Sequence, residues 1–160
     1  MPAGIGVGSL IKLVTGDLFS SAMPVLCNTV NCQGVMGKGI ALAFKHRFPE
    51  MFKAYRARCQ AGQVKPGEPY LEEGILLFPT KDHWRNPSQI QWIEKGLGIL
   101  ASNYPLWGIH GLALPPLGCG NGGLSFEDQV WPLMQKYLEP LSLPVEVYYS
   151  FASASEPELF

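Results

Sequence analysis

The sequence predicts an α/β fold, in which a β-sheet carries helices packed on its faces. Short apolar runs that suit buried strands alternate with longer stretches of helical periodicity along the 160 residues. Apolar residues make up 47% of the chain and charged residues 16%, which is enough for one sizeable core. Glycine-rich turns follow two of the predicted strands. The expected molecule is one domain with its function in loops at the carboxyl ends of the strands.

The predicted strands are short and rich in branched apolar residues, as buried strands of such a sheet are. They are Leu10–Val14, Pro24–Val30, Ile75–Pro79, Ile109–Leu114 and Val145–Ser150. Glu72, Glu73 and Gly74 are predicted to form the turn that leads into the third of these strands.

The predicted helices start from capping residues or glycine turns. Apolar residues recur at helical spacing from Ile40, and Pro49 either separates two helices or opens the second one. Asn86-Pro87-Ser88 is predicted to cap a helix that runs towards Asn103. Ser125 with Asp128 begins a helix that continues to about Leu138.

The formal net charge of −1 does not indicate a nucleic-acid binder, but the charge is uneven. Six cations and one anion lie between Lys38 and Arg58, whereas six acids and one cation follow from Glu127 onwards. A basic face on a neutral protein suits a phosphate-rich ligand. The alternative is an ordinary solvated helix face.

Residue types exclude several other classes of protein. Four cysteines without C-x-x-C spacing indicate free thiols in a reducing compartment, and no histidine cluster predicts a metal site. No apolar run has the length of a membrane span, and the start lacks a charged signal region. We expect a cytoplasmic domain over 10–150, a flexible lead-in over 1–9, a loose tail over 151–160, and no cofactor.

Two glycine-rich loops precede predicted helices, at Gly34–Gly39 and at Gly118–Gly123. Backbone N–H groups that converge in such a turn, together with a helix N-terminus, form an anion site. Two of these loops on one sheet suit a diphosphate held between them. Simple turn chemistry is the alternative for either loop alone.

Neither loop fits a familiar nucleotide motif. Gly39 stands where a P-loop needs Ser or Thr for magnesium, and Cys32 stands where its first glycine belongs. The spacing of Gly118, Gly120 and Gly123 matches a dinucleotide fingerprint. Only 37 residues follow Gly123, which makes a Rossmann dehydrogenase a poor interpretation.

The order of motifs resembles a macrodomain from about Leu10 to Ser150. The resemblance rests on Gly16-Asp17-Leu18-Phe19, Asn28-Thr29-Val30-Asn31, Gly34 through Phe44, and Leu114 through Gly120. Gly37-Lys38-Gly39-Ile40-Ala41 together with Phe78-Pro79-Thr80-Lys81 and Trp84-Arg85 is similar to the branch that contains the DarG antitoxin macrodomain. The terminal ADP-ribose glycohydrolase, which acts on protein carboxylates, is a related member.

The resemblance implies a three-layer α/β/α sandwich with a mixed central sheet that binds ADP-ribose. It also implies a hydrolase that removes ADP-ribose from thymidine in single-stranded DNA, where a partner ADP-ribosyltransferase toxin places it. Two alternatives stay open: a non-catalytic reader of ADP-ribose, and a hydrolase for protein-linked ADP-ribose or a small ADP-ribose derivative.

The resemblance also assigns ligand-binding positions. Asp17 would accept a hydrogen bond from the adenine amino group, unless it is only a turn or capping residue. Phosphate binding would rest mostly on backbone donors of the two loops. The implied ligand-binding residues are Asp17, Leu18, Gly37, Lys38, Gly39, Ile40, Pro116, Gly118, Cys119, Gly120, Asn121 and Gly122.

Lys81 is the residue implied for chemistry at the anomeric carbon of the distal ribose. It follows a predicted buried strand, so its amine can be held at the strand end. A neutral amine could attack the sugar, whereas an ammonium could donate a proton or stabilise charge at the departing base. Asn28 and Asn31 are implied to line the distal ribose, with Asn31 the closer; otherwise Lys81 is a surface lysine.

One position departs from the protein-directed relative, in which an aspartate within the second glycine loop assists the lysine. Asn121-Gly122-Gly123 supplies no carboxylate here. The departure favours the DNA-directed branch and argues against a covalent mechanism.

A single-stranded DNA substrate calls for aromatic and cationic side chains beside the ribose pocket. His83, Trp84 and Arg85 next to Lys81 are of the right type, although Trp84 could instead pack in the core. Cys32 and Cys119 lie in the two loops without a histidine placed to activate them, so a Cys–His hydrolase is a remote option.

Overall fold

The computed structural model describes residues 9–149, which form a six-stranded sheet between two layers of helices. The strands lie in the order β1-β6-β5-β2-β4-β3, and all neighbours are parallel except β3, which is antiparallel to β4. Their bounds are Ile11–Val14 (β1), Val25–Val30 (β2), Tyr70–Glu72 (β3), Ile75–Pro79 (β4), Leu112–Leu114 (β5) and Val145–Tyr148 (β6). The predicted mixed sheet is confirmed.

Four α-helices cover the sheet: Gly39–Arg47 (α1), Pro49–Gln60 (α2), Ile90–Asn103 (α3) and Trp131–Leu138 (α4). Strand residues alternate between the two layers, as the period of two requires. Leu76 and Phe78 of β4 pack in one cluster with the apolar faces of α3 and α4. Ile75 and Leu77 pack with α1 and α2. The three-layer α/β/α sandwich is therefore confirmed.

The predicted pair of helices after the first glycine loop is also confirmed. Pro49 occupies the first turn of α2, where its missing N–H costs nothing. Ser125 caps the segment before α4 by accepting a hydrogen bond from the Asp128 N–H at 3.2 Å. The first turn of that segment, Phe126–Val130, is π-helical rather than α-helical.

Several predicted boundaries are wrong. α3 begins at Ile90 after Gln89, not at an Asn86-Pro87-Ser88 cap. The Ser88 N–H instead donates to the Gly122 carbonyl at 2.9 Å, which ties the segment to the second glycine loop. β5 is only Leu112–Leu114, because the Ile109 N–H turns back to the Tyr104 carbonyl.

Glu72 belongs to β3, an edge strand that the sequence pattern did not predict; the turn consists of Glu73 and Gly74. The predicted last strand ends at Tyr148, and Ser150 lies outside the described residues, as do 1–8 of the lead-in and the whole tail. Within 9–149, no helix has the length and apolar character needed to cross a membrane.

Candidate active site

A cleft of about 410 Å³ opens at the carboxyl ends of β2 and β4. It brings together parts of both glycine loops and the segment that follows β4. The lining residues are Thr29, Val30, Asn31, Val35, Gly37, Lys38, Ala41, Thr80, Lys81, Trp84, Arg85 and Asn121. Seven of them belong to the predicted site: Asn31, Gly37, Lys38, Lys81, Trp84, Arg85 and Asn121.

Lys81 is held at the carboxyl end of β4. The N–H groups of Thr80 and Lys81 both lie within hydrogen-bond distance of the Val30 carbonyl, at 3.0 and 3.4 Å. The Lys81 Nζ donates to the Trp84 carbonyl at 3.2 Å. Burial and, to a smaller extent, the charge of Lys38 lower the pKa of Lys81. The amine is therefore easier to deprotonate than that of a solvated lysine.

Asn31 is fixed by its own loop and by α2. Its Oδ1 accepts from the Gln33 N–H at 2.9 Å and lies 2.9 Å from the Tyr55 hydroxyl. Its Nδ2 donates to the Val35 carbonyl at 2.8 Å. These partners define which end of the amide is oxygen. The second Nδ2 hydrogen is then the group that Asn31 can offer to a ligand in the cleft.

The first glycine loop leads directly into α1. Gly37 and Lys38 line the cleft, and Lys38 occupies the N-cap position without a side-chain capping bond. The first N–H groups of a helix have no acceptor within the helix. The start of α1 beside the cleft therefore offers backbone donors to an anion.

The second glycine loop is a tight turn that places Asn121 in the cleft. The Leu124 N–H donates to the Gly118 carbonyl and the Gly123 N–H to the Gly120 carbonyl, both at 3.0 Å. Gly118, Gly120 and Gly123 have φ values of 73°, 67° and 81°, which residues with a Cβ rarely adopt. The loop geometry therefore depends on glycine.

The cleft is positively charged. Its lining contains three cations, Lys38, Lys81 and Arg85, and no carboxylate. An anionic ligand is favoured here, and a carboxylate general base is missing from the lining. This agrees with the lack of an acid in the second glycine loop.

The rim of the cleft carries a group of aromatic and cationic side chains. Trp84 is 44% exposed, so the alternative that it packs in the core is wrong. The His83 ring is stacked near the indole at 5.1 Å between centroids, and the Arg85 guanidinium lies 4.6 Å from the indole centroid. The three predicted nucleic-acid residues thus form one surface beside Lys81.

Asn28 is not brought to the cleft. Its side chain is fully buried, with Nδ2 at 3.7 Å from the Met36 Sδ. Its Oδ1 has no hydrogen-bond partner among residues 9–149. Asn28 therefore lies outside the cleft lining, and its implied contact with the distal ribose stays a prediction.

Asp17 and Leu18 lie at the same edge of the sheet but away from the cleft. Asp17 is exposed, and its Oδ1 accepts from the Phe19 N–H at 3.0 Å. Leu18 is buried. Since β6 and β5 separate β1 from β2, Asp17 stands roughly 14 Å along the edge, three strand spacings away.

The other predicted ligand-binding residues flank the cleft without lining it: Gly39, Ile40, Pro116, Gly118, Cys119, Gly120 and Gly122. Sequence reasoning missed five lining residues: Thr29, Val30, Val35, Ala41 and Thr80. Thr29 and Thr80 stand next to the strand ends that carry Asn31 and Lys81, which is the signal that could have identified them.

The cysteines do not form a reactive site. Burial raises the pKa of both Cys32 and Cys119 to about 12, so neither thiol is activated. Cys32 Sγ lies 3.4 Å from the Lys81 carbonyl, which links the two cleft segments. Within the described chain, no group of three or more His, Cys, Asp or Glu residues could hold a metal ion.

Comparison with known proteins identifies the family of this chain. The family model described as Macro domain matches residues 27–130. The DNA ADP-ribosyl glycohydrolase of Mycobacterium tuberculosis is 42% identical over 147 residues, which cover 87% of this chain and 42% of that protein. The chain spans about two fifths of the length of the curated relatives it matches.

Two solved structures have the same fold. The macrodomain of Thermus aquaticus DarG has a TM-score of 0.82 at 41% identity, covering 89% of this chain and 100% of that chain. Thermosipho africanus DarTG in complex with ADP-ribose has a TM-score of 0.83 at 38% identity, covering 97% of this chain and 47% of that one. The chain therefore belongs to the macro domain family.

Proposed function

We propose that this domain is an ADP-ribosyl glycohydrolase that removes ADP-ribose from thymidine in single-stranded DNA. The observation that carries the proposal is the position of Lys81, which lines the same cleft as both glycine loops and has a lowered pKa. The names of the relatives, DNA ADP-ribosyl glycohydrolases, support DNA as the carrier of the ADP-ribose.

ADP-ribose would lie along the edge of the sheet in one direction. The adenine would lie towards Asp17 and the diphosphate between the loops of Gly37 and Asn121. The distal ribose would then reach Asn31 and Lys81, because these residues line the far part of the same edge. The positive cleft would favour the diphosphate without any metal ligand.

The reaction replaces the bond between the anomeric carbon and the thymidine nitrogen by a bond to water. The departing nitrogen must gain a proton, and water must lose one. As an ammonium, Lys81 would donate that proton to the base and regain one from the attacking water, or it would stabilise the charge on the base. As a neutral amine, it would instead attack the anomeric carbon as the base departs, and the proton that the amine sheds would pass to the base. Water would then break the lysine–sugar bond and return a proton to the amine. The cleft lining offers no carboxylate to assist either route.

A cognate ADP-ribosyltransferase is the proposed source of the substrate. The Thermosipho africanus relative is named as a fusion of DNA ADP-ribosyl transferase and DNA ADP-ribosyl glycohydrolase, at 41% identity over 161 residues. A domain like this one would then reverse the modification that its partner makes.

A panel of substrates tests the proposal. The domain would be incubated with a thymidine-modified oligonucleotide and with a glutamate-linked protein, and free ADP-ribose would be quantified. We expect release from the oligonucleotide at least ten times faster. Faster release from the glutamate ester would contradict the assigned substrate.

A non-catalytic ADP-ribose reader is the second candidate. It is favoured by one observation, the absence of a carboxylate from the cleft lining. Tight ADP-ribose binding without release from either substrate would identify a reader.

A further inference from the structure

The mouth of the cleft exposes apolar surface. Among the large apolar side chains of residues 9–149, five are exposed, and two of these, Val35 and Trp84, line the cleft. They belong to two different segments, the first glycine loop and the turn after β4. Exposed apolar side chains that converge on one cleft mark a contact with a ligand more often than scattered ones do.

The turn that carries Trp84 is well fixed. The Arg85 N–H donates to His83 Nδ1 at 3.1 Å, and the Asn86 N–H donates to the His83 carbonyl at 3.0 Å. The Asp82 carbonyl accepts from the Cys32 N–H at 2.9 Å. The indole is therefore presented on a prearranged turn, which reduces the entropy lost when a ligand binds.

The charge around the indole suits a polyanion with aromatic units. The Arg85 guanidinium lies over the indole ring, and neither Arg85 nor Lys38 forms a salt bridge in the part of the chain that the structure describes. A nucleobase can take a place on an aromatic face, while the nearby cation pairs with a phosphodiester group. Protein substrates offer neither feature regularly.

We propose that Trp84 forms a base-stacking subsite for the nucleotide next to the modified thymidine. This inference rests on the proposed function and deepens it. The backbone carbonyl of Trp84 lies 3.2 Å from the Lys81 Nζ, and both residues line the cleft, so Trp84 adjoins the amine assigned to the reaction. A base stacked there belongs to an adjacent nucleotide. The base takes the face that the Arg85 guanidinium covers in the unbound protein, and the displaced guanidinium binds the phosphate that joins the two nucleotides.

The test compares two substrates that carry the same modified thymidine, one as a free nucleoside and one within a single-stranded oligonucleotide of ten nucleotides. The ratio of their kcat/KM values measures the contribution of neighbouring nucleotides. For the unmodified domain we expect a ratio of at least ten in favour of the oligonucleotide. Trp84→Ala should reduce that ratio about tenfold, and Trp84→Phe should retain most of it, because stacking needs only an aromatic face.

Phe48→Ala is the matched control, because Phe48 is also an exposed aromatic residue but lies outside the cleft. It should leave the ratio unchanged. The same ratio of kcat/KM values in Trp84→Ala and in the domain without substitutions would overturn the subsite. A ratio near one in the domain without substitutions would overturn it as well. Turnover of the nucleoside substrate in either case would leave the proposed function standing. Failure to hydrolyse both substrates would overturn the function and the subsite together.

Discussion

The hydroxyl of Tyr55 lies 2.9 Å from the Oδ1 of Asn31 and 2.8 Å from the Asn31 carbonyl oxygen. Tyr55 is fully buried in α2, and burial raises the pKa of its phenol, so the hydroxyl stays protonated and donates. Asn31 follows the last residue of β2 and lines the cleft. The helix layer therefore sets the orientation of an amide that lines the cleft.

Removal of that hydroxyl should loosen the Asn31 loop. Tyr55→Phe removes the hydroxyl that lies within hydrogen-bond distance of the Asn31 carbonyl oxygen and Oδ1, so we expect the free energy of unfolding to fall by about 1 kcal/mol. ADP-ribose should also bind more weakly, as measured by calorimetry. Tyr70→Phe is the control, because the buried Tyr70 hydroxyl has no partner among the described residues. Equal losses in the two variants would contradict the role of Tyr55.

Alanine substitutions at two glycines of α3 should change the stability in opposite directions. A Cβ at Gly96 would overlap the ring of Phe78, whereas a Cβ at Gly98 would make an ordinary contact at 3.6 Å with Tyr137 Cε1. Gly96→Ala should lower the free energy of unfolding by about 1–3 kcal/mol through overpacking. Gly98→Ala should raise it by about 0.5–1 kcal/mol through helix propensity. Denaturant unfolding of both variants measures these changes. A change of the same sign in the two variants would contradict the close packing of Gly96 against Phe78.

The second glycine loop predicts a similar contrast. Gly118 and Gly123 both have positive φ, so alanine at either position carries backbone strain. A Cβ at Gly118 would also meet Leu124 Cδ1 at 2.8 Å, whereas a Cβ at Gly123 would meet open space. Gly118→Ala should weaken ADP-ribose binding at least tenfold more than Gly123→Ala. Similar dissociation constants would show that the loop tolerates the clash.

Substitution of Lys38 should shift the pH dependence of kcat. Its charge is the second cause, after burial, of the lowered pKa of Lys81. Removal of a like charge raises that pKa, so Lys38→Met should move the inflection of kcat to higher pH. If kcat rises with pH through this inflection, Lys81 acts as a neutral nucleophile. If kcat falls with pH, Lys81 acts as a protonated general acid.

Lys53→Met is the control for this pH profile. Lys53 is exposed on α2 and pairs with Glu50 at 3.3 Å, outside the cleft. Its removal should leave the inflection in place. An inflection that stays unchanged in Lys38→Met would show that Lys38 does not influence Lys81.

Much of the fold follows from local pattern. The apolar runs of β2 and β4 and the glycine loops after β2 and β5 are local features, so the sequence predicts them within a residue or two. The edge strand β3 has only three residues and no buried face, which leaves no periodicity to detect. Its existence depends on pairing with β4, a tertiary contact.

The missed details of the site are likewise tertiary. Ser88 has the residue type of a helix cap, but its N–H donates to the Gly122 carbonyl of the second glycine loop. Asn28 and Asn31 have the same residue type three positions apart, and only the structure separates the buried one from the one in the cleft. Trp84 is an aromatic residue in a turn, and the residue type alone does not show whether it packs in the core or is exposed; the structure shows that it is exposed.

The most direct test of the central claim is release of ADP-ribose from a thymidine-modified single-stranded oligonucleotide by the unmodified domain and by Lys81→Ala. We predict that kcat falls at least about 100-fold in the variant, whereas the dissociation constant for free ADP-ribose changes little, because the glycine loops remain intact. Equal turnover by the two proteins, or no turnover by the unmodified domain, would contradict the account.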